Sequence, residues 1–208
     1  VVDAYDGSVD FYLTDDLYGS KDPIIRAYAS AFPELFSPVS DMPPVIREHL
    51  RYPEDLFRVQ TSMWGRYHLE DPGDFYKQED GWDVAQNPPL DVRQNGTTAT
   101  SGERIKPYYL QMKLPTERTD EFVIFRPFVP HTRPGSENPK KQLNAFMVGR
   151  SDSDQYGTLA VYTMTEEGPD GTTIRNTDVD GPLSVRERIV SSTGLSERLT
   201  QLNGQSGA

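Results

Sequence analysis

Oxygen-bearing residues recur at regular positions in one stretch near the end of the sequence, NTDVDGPLSVRE, residues 176–187. A calcium loop of the EF-hand type takes oxygen ligands at positions 1, 3, 5, 7, 9 and 12, and needs glycine at position 6 for its sharp bend. Those ligand positions hold Asn176, Asp178, Asp180, Pro182 through its carbonyl, Ser184 and Glu187. Gly181 stands at the bend, so the spacing predicts a calcium site.

The same stretch also fits an acidic loop that leads into a helix. Position 1 is Asn176 rather than aspartate, which removes one charge, and GPDGTTIR precedes the loop where an EF-hand would have a helix. Gly181-Pro182 is typical of a helix start, because proline is favoured in the first helical turn. Both interpretations stay open, and calcium is the one cofactor that the sequence indicates.

Other catalytic chemistry has little local support in the sequence. The chain has no cysteine, which excludes disulfides, thiolate zinc sites and a cysteine nucleophile. The common nucleotide-binding, hydrolase and zinc-protease motifs are absent, and His49, His68 and His131 lie far apart. We therefore favour a protein that is not an enzyme.

The charge balance bears on the partners of the chain. The sequence has 21 Lys and Arg against 32 Asp and Glu, a formal net charge of −11. A chain of this sign without a basic stripe is a poor partner for phosphate-rich surfaces. Nucleic acid and anionic membrane surfaces are therefore not expected partners.

Helical periodicity dominates the first part of the chain. A hairpin is predicted for Val1–Leu13, and helices are predicted from Pro23, over Pro44–His49 and over Pro53–His68. In the longest helix, one apolar stripe is predicted to face the core. That stripe consists of Leu56, Val59, Met63 and Tyr67, widened by Phe57 and Trp64.

Later segments have a period of two and predict strands. Four strands are predicted at 107–114, 121–128, 142–150 and 158–164, and two last helices at 185–190 and 195–202. No helix-length crossover separates the strands, so the sheet should be antiparallel. The expected fold is α+β, an antiparallel β-sheet with several short helices packed on one side, in a single domain over 1–208 with a mobile loop at 86–106.

Several strings resemble one known family. These strings are HLRYPEDLFRVQ, YHLEDPGDFYKQEDGWDV, PYYLQMKLP, EFVIFRPFVP and NAFMVGRSDSDQYGTLAVY, in that order. They resemble the large soluble region of the bacterial Uncharacterised Protein Family 0182. The resemblance implies a multi-pass membrane protein with a large domain outside the cytoplasm, of which this chain would be a fragment. It implies no reaction, and the stretch Thr165–Asp180 departs from the family pattern.

The resemblance and the lack of catalytic motifs together predict a function in binding. We expect an extracytoplasmic interaction or scaffold domain at the cell membrane, which binds an envelope component, a partner membrane subunit or its own transmembrane region. One alternative is a cell-envelope hydrolase that uses paired carboxylates, about 5 to 10 Å apart. Another is a transporter-associated domain that binds a solute.

Overall fold

A computed structural model of the chain describes residues 1–13, 22–88, 103–115, 117–132, 141–152, 155–195, 197–198 and 201. By their internal contacts the residues form two compact units, Val1–Leu50 and Arg51–Ala208. The expectation of a single domain stays a prediction. Among the described residues, no helix is both long and apolar enough to cross a membrane.

The first unit contains short elements. They are β1 (Phe11–Leu13), α1 (Pro23–Ala31), β2 (Phe36–Pro38), a 3-10 turn (Val39–Asp41) and α2 (Pro44–Arg47). The Asp22 carboxylate accepts hydrogen bonds from the backbone N–H groups of Ile24 and Ile25, so α1 begins where the sequence predicted. The predicted hairpin is reduced to one bridge between Val2 and Val9, and β1 pairs in parallel with β2 instead.

The second unit is a helix-backed antiparallel sheet. Its elements are α3 (Glu54–Tyr67), α4 (Pro72–Lys77), β3 (Trp82–Val84), β4 (Tyr108–Lys113), β5 (Asp120–Pro130), β6 (Ala145–Arg150), β7 (Leu159–Thr163), β8 (Thr165–Glu167), β9 (Thr173–Arg175) and α5 (Pro182–Ser191). The main sheet runs β3-β5-β6-β7, and β4 pairs with the other half of the β5 edge that β3 occupies. The predicted α+β class and the four predicted strands are confirmed.

The largest buried cluster lies on the sheet face that α3 covers. It consists of Tyr52, Phe57, Trp82, Val84, Ile124, Phe128, Ala145 and Met147. Helix α3 contacts β3 and β5 directly. A smaller cluster of Leu114, Val123 and Val148 lies on the opposite face. Strand β5 contributes to both clusters because its successive side chains point to opposite faces.

The predicted orientation of α3 is wrong. The stripe that was expected to face the core is exposed: Leu56 by 49%, Val59 by 52%, Met63 by 55% and Tyr67 by 60%. Of the six predicted residues, Phe57 alone is buried, and the other buried residues of the helix are Thr61 and Gly65. The reason is a close approach of the helix to the sheet, because a Cβ atom added at Gly65 would lie 2.5 Å from the carbonyl oxygen of Trp82. At Gly65 no larger side chain fits without a shift of the backbone.

Two further segments bear on predictions made from the sequence. The stretch Thr165–Asp180 contains the hairpin of β8 and β9, which the sequence analysis did not predict as strands. The two ends of the predicted loop at 86–106 pair through a bridge between Gln86 and Arg104. Residues 89–102 lie outside the described residues, so the mobility of this loop stays a prediction.

The close approach of α3 predicts the result of a glycine substitution. Gly65→Ala should lower the free energy of unfolding by about 1–3 kcal/mol, because the gain in helix propensity is smaller than the cost of the backbone clash. Gly194→Ala is the matched control, since an added Cβ at this helical glycine meets nothing within 4 Å. Urea unfolding of both variants measures the difference. Equal stability of the two variants would contradict the packing described here.

Candidate functional site

The residues of the predicted calcium loop lie in the connection between β9 and α5. Asn176 and Asp178 form a local turn, in which the Asn176 side chain accepts a hydrogen bond of 2.8 Å from the Asp178 N–H. Asp180 forms a backbone bridge with Gln142. Helix α5 begins at Pro182, so Ser184 and Glu187 lie within the helix.

Two acidic side chains of this loop form ion pairs with cations of the same unit. Glu187 Oε1 lies 2.6 Å from Lys141 Nζ, and Asp180 pairs with Arg188. Among the residues that the structure describes, no group of three or more His, Asp or Glu side chains is arranged to hold a metal ion. Calcium binding by Asn176, Asp178, Asp180, Pro182, Ser184 and Glu187 stays a prediction, and it would require both ion pairs to open.

A groove beside α3 is a large concave surface in the described part of the second unit. Its volume is about 1260 Å³. We call it the α3 groove and define it by its lining residues, most of which belong to α3, α4, β3 and β5. They are Arg58, Val59, Ser62, Met63, Gly65, Arg66, Tyr67, Leu69, Phe75, Tyr76, Gln78, Gly81, Trp82, Asp83, Arg126 and His131.

One wall of the groove is apolar and exposed. Val59, Met63 and Tyr67 come from the outer side of α3, and Phe75 and Tyr76 of α4 extend the wall. Tyr76 is 89% exposed, and the Tyr67 and Phe75 rings pack with their centroids 5.6 Å apart. Contiguous exposed apolar surface of this kind commonly marks an interaction site.

Arg126 is a buried arginine in the groove. Its relative exposure is 5%, and its Nη1 donates hydrogen bonds to Thr61 Oγ1 at 2.7 Å and to the Arg58 carbonyl at 3.1 Å. Its Nε donates to the Ile105 carbonyl at 2.8 Å. Within the described residues, no carboxylate forms an ion pair with it. Burial, together with the charges of Arg58 and Arg104, lowers the pKa of Arg126 to about 10, so it is still a cation at neutral pH.

A second buried arginine, Arg150, has its charge balanced by carboxylates. Arg150 on β6 lies 2.8 Å from Glu117 and 3.3 Å from Glu121. Burial by itself would lower the pKa of Arg150, but the hydrogen bonds that it donates to Glu117 and Tyr162 and the charges of both glutamates raise it. Arg126 differs because its partners are carbonyl and hydroxyl oxygens, which satisfy its N–H groups without balancing its charge.

Asp83 is the single carboxylate among the residues that line the groove. Its Oδ1 lies 3.2 Å from His131 Nδ1, and its Oδ2 lies 3.3 Å from Arg104 Nη2. His131 Nε2 is buried and has no hydrogen-bond partner among the residues that the structure describes. The Asp83 carboxylate can fix the orientation of the His131 imidazole. Asp83 has no second carboxylate beside it among the residues that line the groove.

The sequence analysis missed this site. Of the three histidines, His131 lines the groove, the His68 ring packs 4.0 Å from Trp82, and His49 lies in the first unit. The available signal was Arg126 itself, a cation in the apolar strand EFVIFRPFVP at a position that shares a face with Ile124 and Phe128. A charged residue at an inward strand position is uncommon and indicates either a counter-ion or a ligand.

By its fold and site, this part of the chain is a helix-backed antiparallel sheet with a cationic and apolar groove. The chain belongs to the family described as Uncharacterised protein family (UPF0182), whose model matches residues 1–202. This confirms the resemblance noted in the sequence, and it assigns no activity.

The curated relatives are much longer than this chain. It is 36% identical to a UPF0182 protein of Sulfurovum sp. over 100% of the chain, 38% identical to one of Pelotomaculum thermopropionicum over 96%, and 39% identical to one of Synechococcus elongatus over 98%. These matches span 19%, 19% and 18% of the respective relatives, about one fifth of their length. No solved structure matches the chain.

The calcium prediction has a direct calorimetric test. If residues 176–187 bind calcium, titration in the millimolar range that is typical of extracellular modules should release saturable heat, and Glu187→Gln should abolish it. Arg188→Gln should strengthen binding, because it removes the cation that pairs with Asp180. Absence of heat in the wild-type chain would leave the stretch as the acidic lead-in to α5.

Proposed function

We propose that this chain is the extracytoplasmic interaction module of a longer membrane protein, and that its α3 groove binds an apolar, acidic polypeptide segment of a partner membrane subunit. The observation that carries this proposal is the orientation of α3. Val59, Met63 and Tyr67 line an open groove, while the buried residues of the helix are Phe57, Thr61 and Gly65.

The apolar wall supplies a reason for association. Val59, Met63 and Tyr67 are each more than half exposed in this chain. Burial of apolar surface contributes roughly 25 cal/mol per Å² removed from water. A segment that covers this wall would therefore gain free energy without any change in the packing of α3 on the sheet. Amphipathic segments that place apolar side chains in such grooves are a common mode of peptide recognition.

The charge of the groove favours an acidic partner. Three arginines, Arg58, Arg66 and Arg126, line the groove against one carboxylate, Asp83, in a chain of net charge −11. A local excess of positive charge in an acidic chain attracts anionic groups at short range. An envelope component or the protein's own transmembrane region are the other occupants to be distinguished by experiment.

A hydrolase that uses paired carboxylates is less well supported by the groove. Asp83 already pairs with Arg104 and His131, and no other acidic residue lines the cavity. Retaining and inverting mechanisms both require a second carboxyl group about 5 to 10 Å away. A site with arginines and an apolar wall is better suited to holding an anion than to cleaving a glycosidic bond.

Position-specific cross-linking in cells tests the docking proposal. A photoreactive benzoylphenylalanine at Met63 or Tyr76 of the full-length protein should cross-link to one discrete polypeptide, because both side chains line the groove and are exposed. Mass spectrometry of the adduct then identifies the partner and its acidic, apolar segment.

The matched control places the same photoreactive residue at Ile174 on β9. This position is 42% exposed and does not line the groove. Equal adducts at all three positions, or none at Met63 and Tyr76, would overturn the docking proposal. An adduct within the same polypeptide would assign the groove to the protein's own transmembrane region instead, and an adduct with a glycan or lipid would assign it to an envelope component.

The proposed location can be tested because the chain has no cysteine. In a full-length protein otherwise free of cysteine, Tyr5→Cys should react with a membrane-impermeant maleimide on intact cells, since Tyr5 is fully exposed. Val148→Cys is the control, because this buried residue should react after denaturation alone. Labelling of Tyr5→Cys that requires cell lysis would place the module in the cytoplasm.

A further inference from the structure

We propose that Arg126 is the receptor of a carboxylate-binding site in the α3 groove, and that the docked segment supplies the carboxylate. This inference rests on the function proposed above. It starts from a buried guanidinium that lines the groove and forms no ion pair within the described residues. Burying a charge without a counter-ion is costly, so an anion that reaches Arg126 recovers free energy that the fold has lost.

The contacts of Arg126 leave one edge of the guanidinium for a ligand. Nε and Nη1 donate to Ile105, Thr61 and Arg58 in α3 and in the segment before β4. Nη2 has no hydrogen-bond partner in the part of the chain that the structure describes. Nη1 also lies 3.4 Å from Ser62 Oγ, and these four hydrogen bonds fix the plane of the guanidinium, which lowers the entropic cost of binding an oxygen anion at the remaining nitrogen.

The charge balance near Arg126 favours a monoanion. Arg58 pairs with Asp55 at 3.0 Å and Arg104 pairs with Asp83 at 3.3 Å, so each of these arginines has a carboxylate. Arg126 is the buried cation that these pairs leave without compensation. One carboxylate balances one such charge, whereas a phosphate dianion would add a second negative charge beside Asp83.

The surroundings of Arg126 favour a carboxylate on an apolar carrier. The side chains of Val59 and Met63 lie in the same groove and are exposed to it. A glutamate or aspartate flanked by apolar residues, or a chain-terminal carboxylate, would place its charge against Arg126 and its apolar atoms against this wall. A strongly hydrated anion without apolar surface would gain nothing from the wall.

Titration with hexanoate and with hexanamide tests this proposal on the 208-residue chain. The two probes have the same alkyl chain and differ in charge. In ¹⁵N-labelled protein, hexanoate should give saturable shifts of the Gly65 and Gly81 amide signals and of the Trp82 indole signal, since all three residues line the groove. Hexanamide and equimolar sodium chloride should not shift them.

Variants link the effect to the guanidinium. Arg126→Met should weaken hexanoate binding by about tenfold or more, because a charged hydrogen bond typically contributes more than about 1.4 kcal/mol. Arg198→Gln is the control, since it makes the same change of charge at an exposed helical residue. The amide spectrum of Arg126→Met shows whether the variant folds, and if it does not, the comparison of the two probes on the wild-type chain decides.

Three results would overturn the carboxylate site. They are equal binding of hexanoate and hexanamide, undiminished hexanoate binding by folded Arg126→Met, and saturable binding of inorganic phosphate at lower concentration than hexanoate. None of these results depends on the cross-linking experiment. Groove-specific cross-links with failed hexanoate binding would retain the docking function alone. Specific hexanoate binding without cross-links would retain the anion site and indicate a solute rather than a polypeptide as its ligand.

Discussion

The close contact between α3 and β3 determines the character of both sides of the helix. Gly65 lies so near the Trp82 carbonyl that no larger residue fits without moving the backbone, and Thr61 and Phe57 continue the same buried line. Because small residues occupy most of the inner side, the helix has to place its larger apolar residues elsewhere. They lie on the outer side, where Val59, Met63 and Tyr67 form the wall of the groove. The groove is thus a consequence of how the core is packed.

The two buried arginines, Arg126 and Arg150, differ in whether carboxylates of the same fold balance their charge. Arg150 is held by Glu117 and Glu121, so its charge is balanced within the fold. Arg126 ties β5 to α3 and to Ile105 through neutral oxygen atoms, which satisfies hydrogen bonds and leaves the charge. These hydrogen bonds explain the position of the side chain, but they do not balance its charge. The retention of a full charge is better explained by a ligand that carries the opposite one.

The sequence was sufficient for elements whose signals are local. Asp22 caps α1 through its own side chain, and the alternation in 121–128 identifies β5, so these elements were predicted. The orientation of α3 could not be predicted in the same way, because a stripe of large apolar residues normally faces a core. What reversed it is the contact of Gly65 with Trp82, a long-range constraint that no periodicity contains. The groove escaped prediction for the same reason, since its cations and its apolar wall meet only after α3 has packed on the sheet.

The apolar wall and Arg126 would contribute differently to binding in the groove, because charge and apolar contact act over different distances. At physiological ionic strength charges are screened over about 8 Å, so the net charge of −11 hardly opposes an acidic segment before contact. The exposed apolar wall supplies surface to bury, but it cannot distinguish one apolar segment from another. Arg126 can distinguish them. A segment without an acidic group would cover the guanidinium and remove its remaining water contacts without supplying a counter-ion. In the proposed docking function, the wall therefore provides affinity for many segments, and the buried arginine selects among them by making segments without an acid unfavourable.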